Sequence, residues 1–246
     1  MIDFHVHSVF SGGNVTVKQI ADYSRQNNLV LGIADQYSWH KYKKSKLPRH
    51  TNHYLQDIND AKGSTGNILC GIEIDTTSIH RYTFFEQFTD TLDFALFEYV
   101  LDLAGNYSYD PKRRNRTMDH LTEIARFKKE TDLFVGLSRP DVSLVIDQSL
   151  LQESLDFIEK TGIAMELNEK HGNYYTPTFL REVLKRDIPL FCGTSARELD
   201  DIGNFPFISQ FISHFDGVRK KISSFESRQQ VTKGRKHSLE HRKREH

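Results

Sequence analysis

The sequence predicts an α/β protein, a TIM-like barrel of seven strand–helix units. Three observations lead there. Short apolar runs alternate with amphipathic stretches along most of the chain, and polar or charged residues gather where each apolar run ends. The length, 246 residues, suits one large domain of a size that α/β barrels commonly reach. Strand–helix alternation implies parallel pairing in a barrel or a doubly wound sheet, and seven units with polar strand ends favour the barrel.

The first strand is Ile2–Val6, which runs into a turn containing Ser11, Gly12 and Gly13. The helix after it, Val15–Asn27, carries Val17, Ile20 and Ala21 as a core stripe. Val30–Ala34, Ile68–Ile74 and Phe94–Phe97 are the next three strands, with a helix over Asn52–Lys62 between the second and third. Met118–Glu130 precedes the fifth strand, Leu133–Leu137. In the helix Leu150–Lys160, Leu151, Leu155 and Ile158 recur at i, i+4 and i+7. Ile163–Leu167, the helix Pro177–Arg186, Leu190–Gly193 and the helix Phe205–His214 complete the series.

Two loops interrupt this pattern. Gln36–Thr51 is basic and aromatic (Tyr37, Trp39 and Tyr42 among lysines), and Asn106–Arg116 is basic; loops after barrel strands cover the active face. Charge divides the chain into two parts. Residues 217–246 hold 10 Lys and Arg against 3 Asp and Glu, whereas residues 1–216 hold 23 against 30. The expected organisation is therefore a barrel domain over 1–216 and a basic, disordered tail over 217–246, with apolar periodicity confined to Ile222 and Phe225. Cys70 and Cys192 lie in apolar strands and read as core residues of a reducing compartment. No apolar run approaches the roughly 18 residues of a membrane span, and Asp3 and His5 interrupt any secretory leader. A soluble, cytoplasmic protein without membrane partners is expected.

Chemistry enters with Asp3-Phe4-His5-Val6-His7-Ser8. In an extended strand alternate residues share a face, so His5 and His7 point one way and Phe4 and Val6 the other. Two imidazoles at a strand end suit one divalent metal, although such histidines also serve as hydrogen-bonded core groups. The other strand ends offer Asp35-Gln36, Glu73, Glu98, Arg139, Glu166 with Asn168, and Ser195 with Arg197.

In that order these stations resemble the polymerase-and-histidinol-phosphatase (PHP) family over about residues 1–216. The matching segments are the His-x-His strand, Ile33-Ala34-Asp35-Gln36, Gly71-Ile72-Glu73, Leu92–Leu96, Ser138-Arg139-Pro140-Asp141, Glu166-Leu167-Asn168 and Gly193-Thr194-Ser195-Ala196-Arg197. The resemblance implies a distorted (β/α)7 barrel and a metal-dependent phosphoesterase acting on a phosphorylated small molecule or nucleotide. It also implies metal ligands at His5, His7 and Glu73, with Asp35 orienting a ligand. Most of the family's ligand set is replaced, however. Gly12 stands where an Asp often lies, Gln36 replaces a His, and the fourth strand has no His. Arg139 replaces the His of His-Pro, and Ser195 and Arg197 replace the last Asp and His.

Arginine cannot ligate a metal, and Ser and Gln ligate poorly, so the reduced site has room for one ion of Mn, Fe or Zn. Arg139 and Arg197 are then candidates to bind a substrate phosphate, with Asn168 and His171 beside them. Alternatively each arginine pairs with a nearby acid, Glu98, Asp141, Glu166 or Glu198, as a buried bridge in an abandoned site. Glu98 or Glu166 could also replace a lost ligand. A second functional reading is a catalytically inactive PHP-like barrel that acts as an RNA-associated scaffold through residues 217–246 and the basic loops. The segment Gly193–Phe205 and the apolar helix after it are similar to the barrel subunit of ribonuclease P, which resembles the PHP barrel without its metals.

Overall fold

The computed structural model describes residues 1–37, 47–65, 67–75, 91–98, 111–131, 133–140, 148–215 and 217–227. Seven parallel strands close into a barrel in chain order: β1 (Asp3–Val6), β2 (Leu31–Tyr37), β3 (Ile68–Asp75), β4 (Phe94–Glu98), β5 (Phe134–Ser138), β6 (Ala164–Asn168) and β7 (Leu190–Gly193). The seam is sealed by β1 pairing with β7, Asp3 opposite Cys192. Outside lie α1 (Val17–Asn27), α2 (Leu47–Thr65), α3 (Pro111–Glu130), α4 (Gln148–Thr161), α5 (Pro177–Leu184) and α6 (Pro206–His214). A further helix, α7, covers residues 217–227. No helix among the described residues is long and apolar enough to cross a membrane.

Local chemistry sets these boundaries. Thr16 caps α1 in a reciprocal box with Gln19, and Asn28 ends it in a left-handed conformation (φ 51°). Alternation along the strands then sorts side chains into two cores. Leu31, Ile33, Cys70, Ile72, Ala95, Phe97 and their equivalents face the helices. Phe4, Ala34, Leu69, Phe94, Leu96, Ala164 and Phe191 fill the barrel itself. The ring of Phe94 takes the space where a Cβ on Gly71 would stand, so glycine there makes room for the aromatic layer.

The structure corrects two expectations. Phe4 and Val6 do not share a face: Phe4 joins the barrel interior, whereas Val6 faces the helices. Three residue steps on β1 (Asp3 to Val6) match two on β2 (Leu31 to Ile33), and this irregularity turns both Phe4 and His5 inward. The basic tail also begins later than expected. Residues 217–227 are helical, with Val218, Ile222 and Phe225 buried at i, i+4 and i+7. Phe225 stacks with Phe4, Phe134 and Phe191 at centroid distances of 5.6, 4.7 and 6.2 Å. Glu226 accepts the Ile2 N–H at 2.7 Å. Helix α7 therefore plugs the N-terminal end of the barrel and belongs to the domain. Residues 228–246, and residues 38–46 and 106–110 of the two expected basic loops, lie outside the described residues, whereas residues 47–51 and 111–116 belong to α2 and α3.

Candidate functional site

Above the aromatic layer the barrel interior turns polar. The strand-end positions that face inward are His5, Gln36, Glu73, Glu98, Ser138, Glu166 and Asn168, and all but Glu98 are buried. His5, His7 and Glu73 each bring a ligand-type atom to within 4.8 Å of the others, so this group could hold a metal ion. The rings of His5 and His7 lie 4.7 Å apart.

The neighbours of the two imidazoles determine which nitrogen faces the centre. His5 Nδ1 donates to Glu166 Oε1 at 2.7 Å, which leaves Nε2 toward Glu73 Oε1 at 3.4 Å. His7 Nδ1 lies 3.0 Å from Ser11 Oγ, and Ser11 donates its own proton to Asp35. The Ser11 oxygen therefore accepts from His7, whose Nε2 is left 3.9 Å from Glu73 Oε2. Among the described residues, His5 Nε2 and Glu73 Oε2 are buried without a hydrogen-bond partner. Histidines held through Nδ1 with Nε2 convergent on a carboxylate form a donor set that suits a single divalent ion.

The other oxygen of Glu73 is already engaged. Ser138 donates to Oε1 at 2.6 Å, and Arg139 Nη2 approaches it at 2.7 Å and Glu98 Oε1 at 3.2 Å. The Arg139 backbone N–H donates to Glu166 Oε2 at 2.6 Å. Arg139 and Ser195 both hold left-handed backbones (φ 46° and 48°), an unfavourable conformation for residues with a Cβ. Gly193 lies at the centre of the cluster, since a Cβ there would strike Glu166 Oε1 and His5 Cβ.

These contacts fix the charges. Burial would lower His5, but Glu166 and Glu73 outweigh it and raise the imidazole to about 10. Burial, joined by the charge of His5, holds His7 well below its usual range. Burial would raise Glu73, yet the Arg139 guanidinium and His5 hold it well below the ordinary carboxylate range. Burial lifts Asp35 to about 6, against hydrogen bonds from the Ser11 and Ser8 hydroxyls and the Ser8 N–H.

The remaining sequence candidates fall in different places. Asp35 points toward the turn after β1 and reaches His7 only through Ser11. Arg139 is in the cluster and bridges to Glu98 and Glu73, the latter not among its expected partners. Arg197 is exposed at the rim. Asn168 donates to Glu166 and Ser195 at 2.9 and 2.8 Å. His171 lies half-buried in the 3-10 turn Glu169–Tyr174 after β6. Gln36 donates to Glu98 Oε2, and Glu166 supports His5 from the side away from Glu73. Ser8, Ser11 and Ser138 were not singled out as site residues; the signal for two of them was their position in the turn directly after His-x-His.

No family model and no curated protein matches the chain. Among solved structures, a chain in the cryo-EM structure of archaeal ribonuclease P with mature tRNA is similar in fold. It aligns over 95% of this chain and 91% of its own, at 14% identity and a TM-score of 0.55. D-allulose 3-epimerase from Methylomonas sp. in complex with D-allulose aligns over 87% of this chain and 81% of its own, at 13% identity and a TM-score of 0.49. D-psicose 3-epimerase from Clostridium cellulolyticum H10 with D-tagatose gives 85% and 81%, 13% and 0.47. At these identities the likeness is one of fold.

Proposed function

We propose that this chain is a PHP-type barrel that has left catalysis and serves as an RNA-associated scaffold, in the manner of a ribonuclease P protein. One observation carries the reading: the Arg139 guanidinium lies 2.7 Å from the carboxylate that a metal-dependent site would need free. An ion at His5, His7 and Glu73 would have to compete with that cation and displace the proton of His5. The groups proposed to bind substrate are also engaged, Arg139 by Glu73 and Glu98, and Asn168 by Glu166 and Ser195. Such a closed network is what a former metal site becomes when charged side chains replace its ions. The fold likeness over 95% of the chain to a ribonuclease P chain supports the same reading.

A second reading keeps one metal and a phosphoesterase activity. It is favoured by His5 Nε2 and Glu73 Oε2, which are buried without a hydrogen-bond partner among the described residues. Mn, Fe or Zn held by His5, His7 and Glu73 would supply Lewis-acid activation of water for attack on a phosphoester. Asp35 would hold His7 in place through Ser11, while Arg139 and Arg197 would face the phosphate.

Metal content by mass spectrometry, on protein purified without chelator and beside a His5→Ala/His7→Ala control, separates the two. The scaffold reading expects less than about a tenth of an equivalent in both proteins and retained RNA binding by the control. Near-stoichiometric metal that is lost in the control, with phosphoester turnover, would establish the second reading instead.

A further inference from the structure

We infer that the RNA-holding surface is the N-terminal pole of the barrel, opposite the His5–His7–Glu73 cluster, with Lys129, Lys160, Arg219 and Lys220 as its phosphate contacts. The inference rests on the RNA-associated reading and adds where the RNA lies. In a parallel barrel every outer helix runs back against its strand, so helix C-termini gather where strands begin. None of α1, α2, α3 and α4 has an acid in its first turn, and all four carry a basic residue in the last. The helix dipole accounts for one cation at each such end.

Several of these cations are committed. Arg25 pairs with Asp22 and Lys62 with Asp93. Lys128 donates to the carbonyls of Thr161 and Gly162, and Lys221 to that of Arg186. Lys129 and Lys160 are exposed and make no side-chain hydrogen bond or ion pair among the described residues. Helix α7 lies across the same pole with its apolar side inward, so that Arg219 and Lys220 are exposed and equally uncommitted among the described residues.

Exposed acids at this pole include Glu130, Asp187 and Asp156, the last of which holds Arg186 at 2.8 Å. Against the two of these acids that hold no cation stand the four cations uncommitted among the described residues, and the chain continues from Ser227 into 19 residues that hold 7 Lys and Arg against 2 Asp and Glu. Among the described residues of the opposite, strand C-terminal mouth, Glu198 and Asp200 are exposed beside Arg197, and Lys170 is neutralised by Asp201 at 2.8 Å. In a body that is net acidic over residues 1–216, the α7 pole thus offers a polyanion four exposed cations beside the basic stretch that follows α7.

The test uses the full chain and a transcribed tRNA in filter binding between 50 and 200 mM KCl. The variants are Lys129→Glu/Lys160→Glu, Arg219→Glu/Lys220→Glu and, at the mouth, Arg197→Glu. All are exposed, and circular dichroism checks folding; glutamine versions replace any variant that misfolds. Each polar double variant is expected to lose at least about tenfold in affinity and to flatten the salt slope by about one per contact removed. The mouth variant stays within about twofold of wild type. Unchanged binding by both double variants, or an equal loss in Arg197→Glu, overturns the placement while leaving RNA association intact. No RNA binding by wild type at 50 mM KCl overturns the scaffold reading itself. Polyglutamate competing as well as the tRNA would show that the pole takes an acidic protein instead.

Discussion

Replacing Arg139 by methionine keeps the stem of the side chain and removes the guanidinium. Glu73 would then remain fully buried with His5 Nε2 at 3.4 Å and the Ser138 hydroxyl at 2.6 Å as its nearest polar groups. Removing one member of a buried ion pair costs about 3–5 kcal/mol, because the other charge is left without its partner. His5 and Ser138 still attend the carboxylate, so a loss of about 3 kcal/mol at pH 7.5 is expected. In wild type Glu73 is held well below its unfolded value, so its contribution is present above the ordinary carboxylate range and is lost as pH falls through the folded value. In the variant burial still disfavours the carboxylate and no guanidinium offsets it, so Glu73 takes up a proton as pH falls and the deficit should shrink toward pH 4.5. The double variant Glu73→Gln/Arg139→Met removes both charges and should recover much of the loss. Urea unfolding followed by far-ultraviolet circular dichroism reads all three proteins at both pH values. The reasoning fails if Arg139→Met lies within about 1 kcal/mol of wild type at pH 7.5, or if the double variant is no better than the single.

Other outcomes follow from the same contacts. Phe225→Ala should destabilise the barrel by about 3–5 kcal/mol in urea, whereas the exposed Ser223→Ala should shift it by less than about 0.5. A chain ending at residue 216 should lose its cooperative transition, and an unchanged midpoint would mean that α7 is not part of the core. Asp35, raised to about 6, takes up its proton in the folded state before the unfolded one, so it adds stability as pH falls. Between pH 7 and 5 that amounts to about 1.3 kcal/mol, measured as the difference in slope between wild type and Asp35→Asn; equal slopes would contradict it. Gly193→Ala should cost about 1–3 kcal/mol, because its methyl would force His5 from Glu166. A neutral result in thermal unfolding would remove Gly193 from the account.

Much of the barrel was legible because period-2 apolar runs and strand-end polarity are local signals. β7 falls where the sequence places it, and the other strands begin or end within three residues of expectation. The inward turn of both Phe4 and His5 was not legible, since a bulge is set by the partner strand and leaves no mark in a four-residue run. Helix α7 was hidden by its charges. Val218, Ile222 and Phe225 have helical spacing, but Arg219, Lys220 and Lys221 between them gave the segment the look of a solvated tail. At the site, the residue types already said that Arg139 could not ligate a metal. Its partner Glu73 lies 66 residues earlier, and only the closed barrel brings β3 and β5 to the same mouth.

Closure of the ring also imposes an order on synthesis. The first strand finds its β7 partner, Cys192 opposite Asp3, only after nearly the whole domain has been made. At 5–20 residues per second the roughly 190 intervening residues take about 10–40 s, during which one edge of β1 stays open. Ile2 and Phe4 then wait longer still for Phe225 to cover them. An interrupted translation product of this chain would therefore carry an open strand edge and bare aromatic rings, the features by which quality control distinguishes unfinished chains from finished ones.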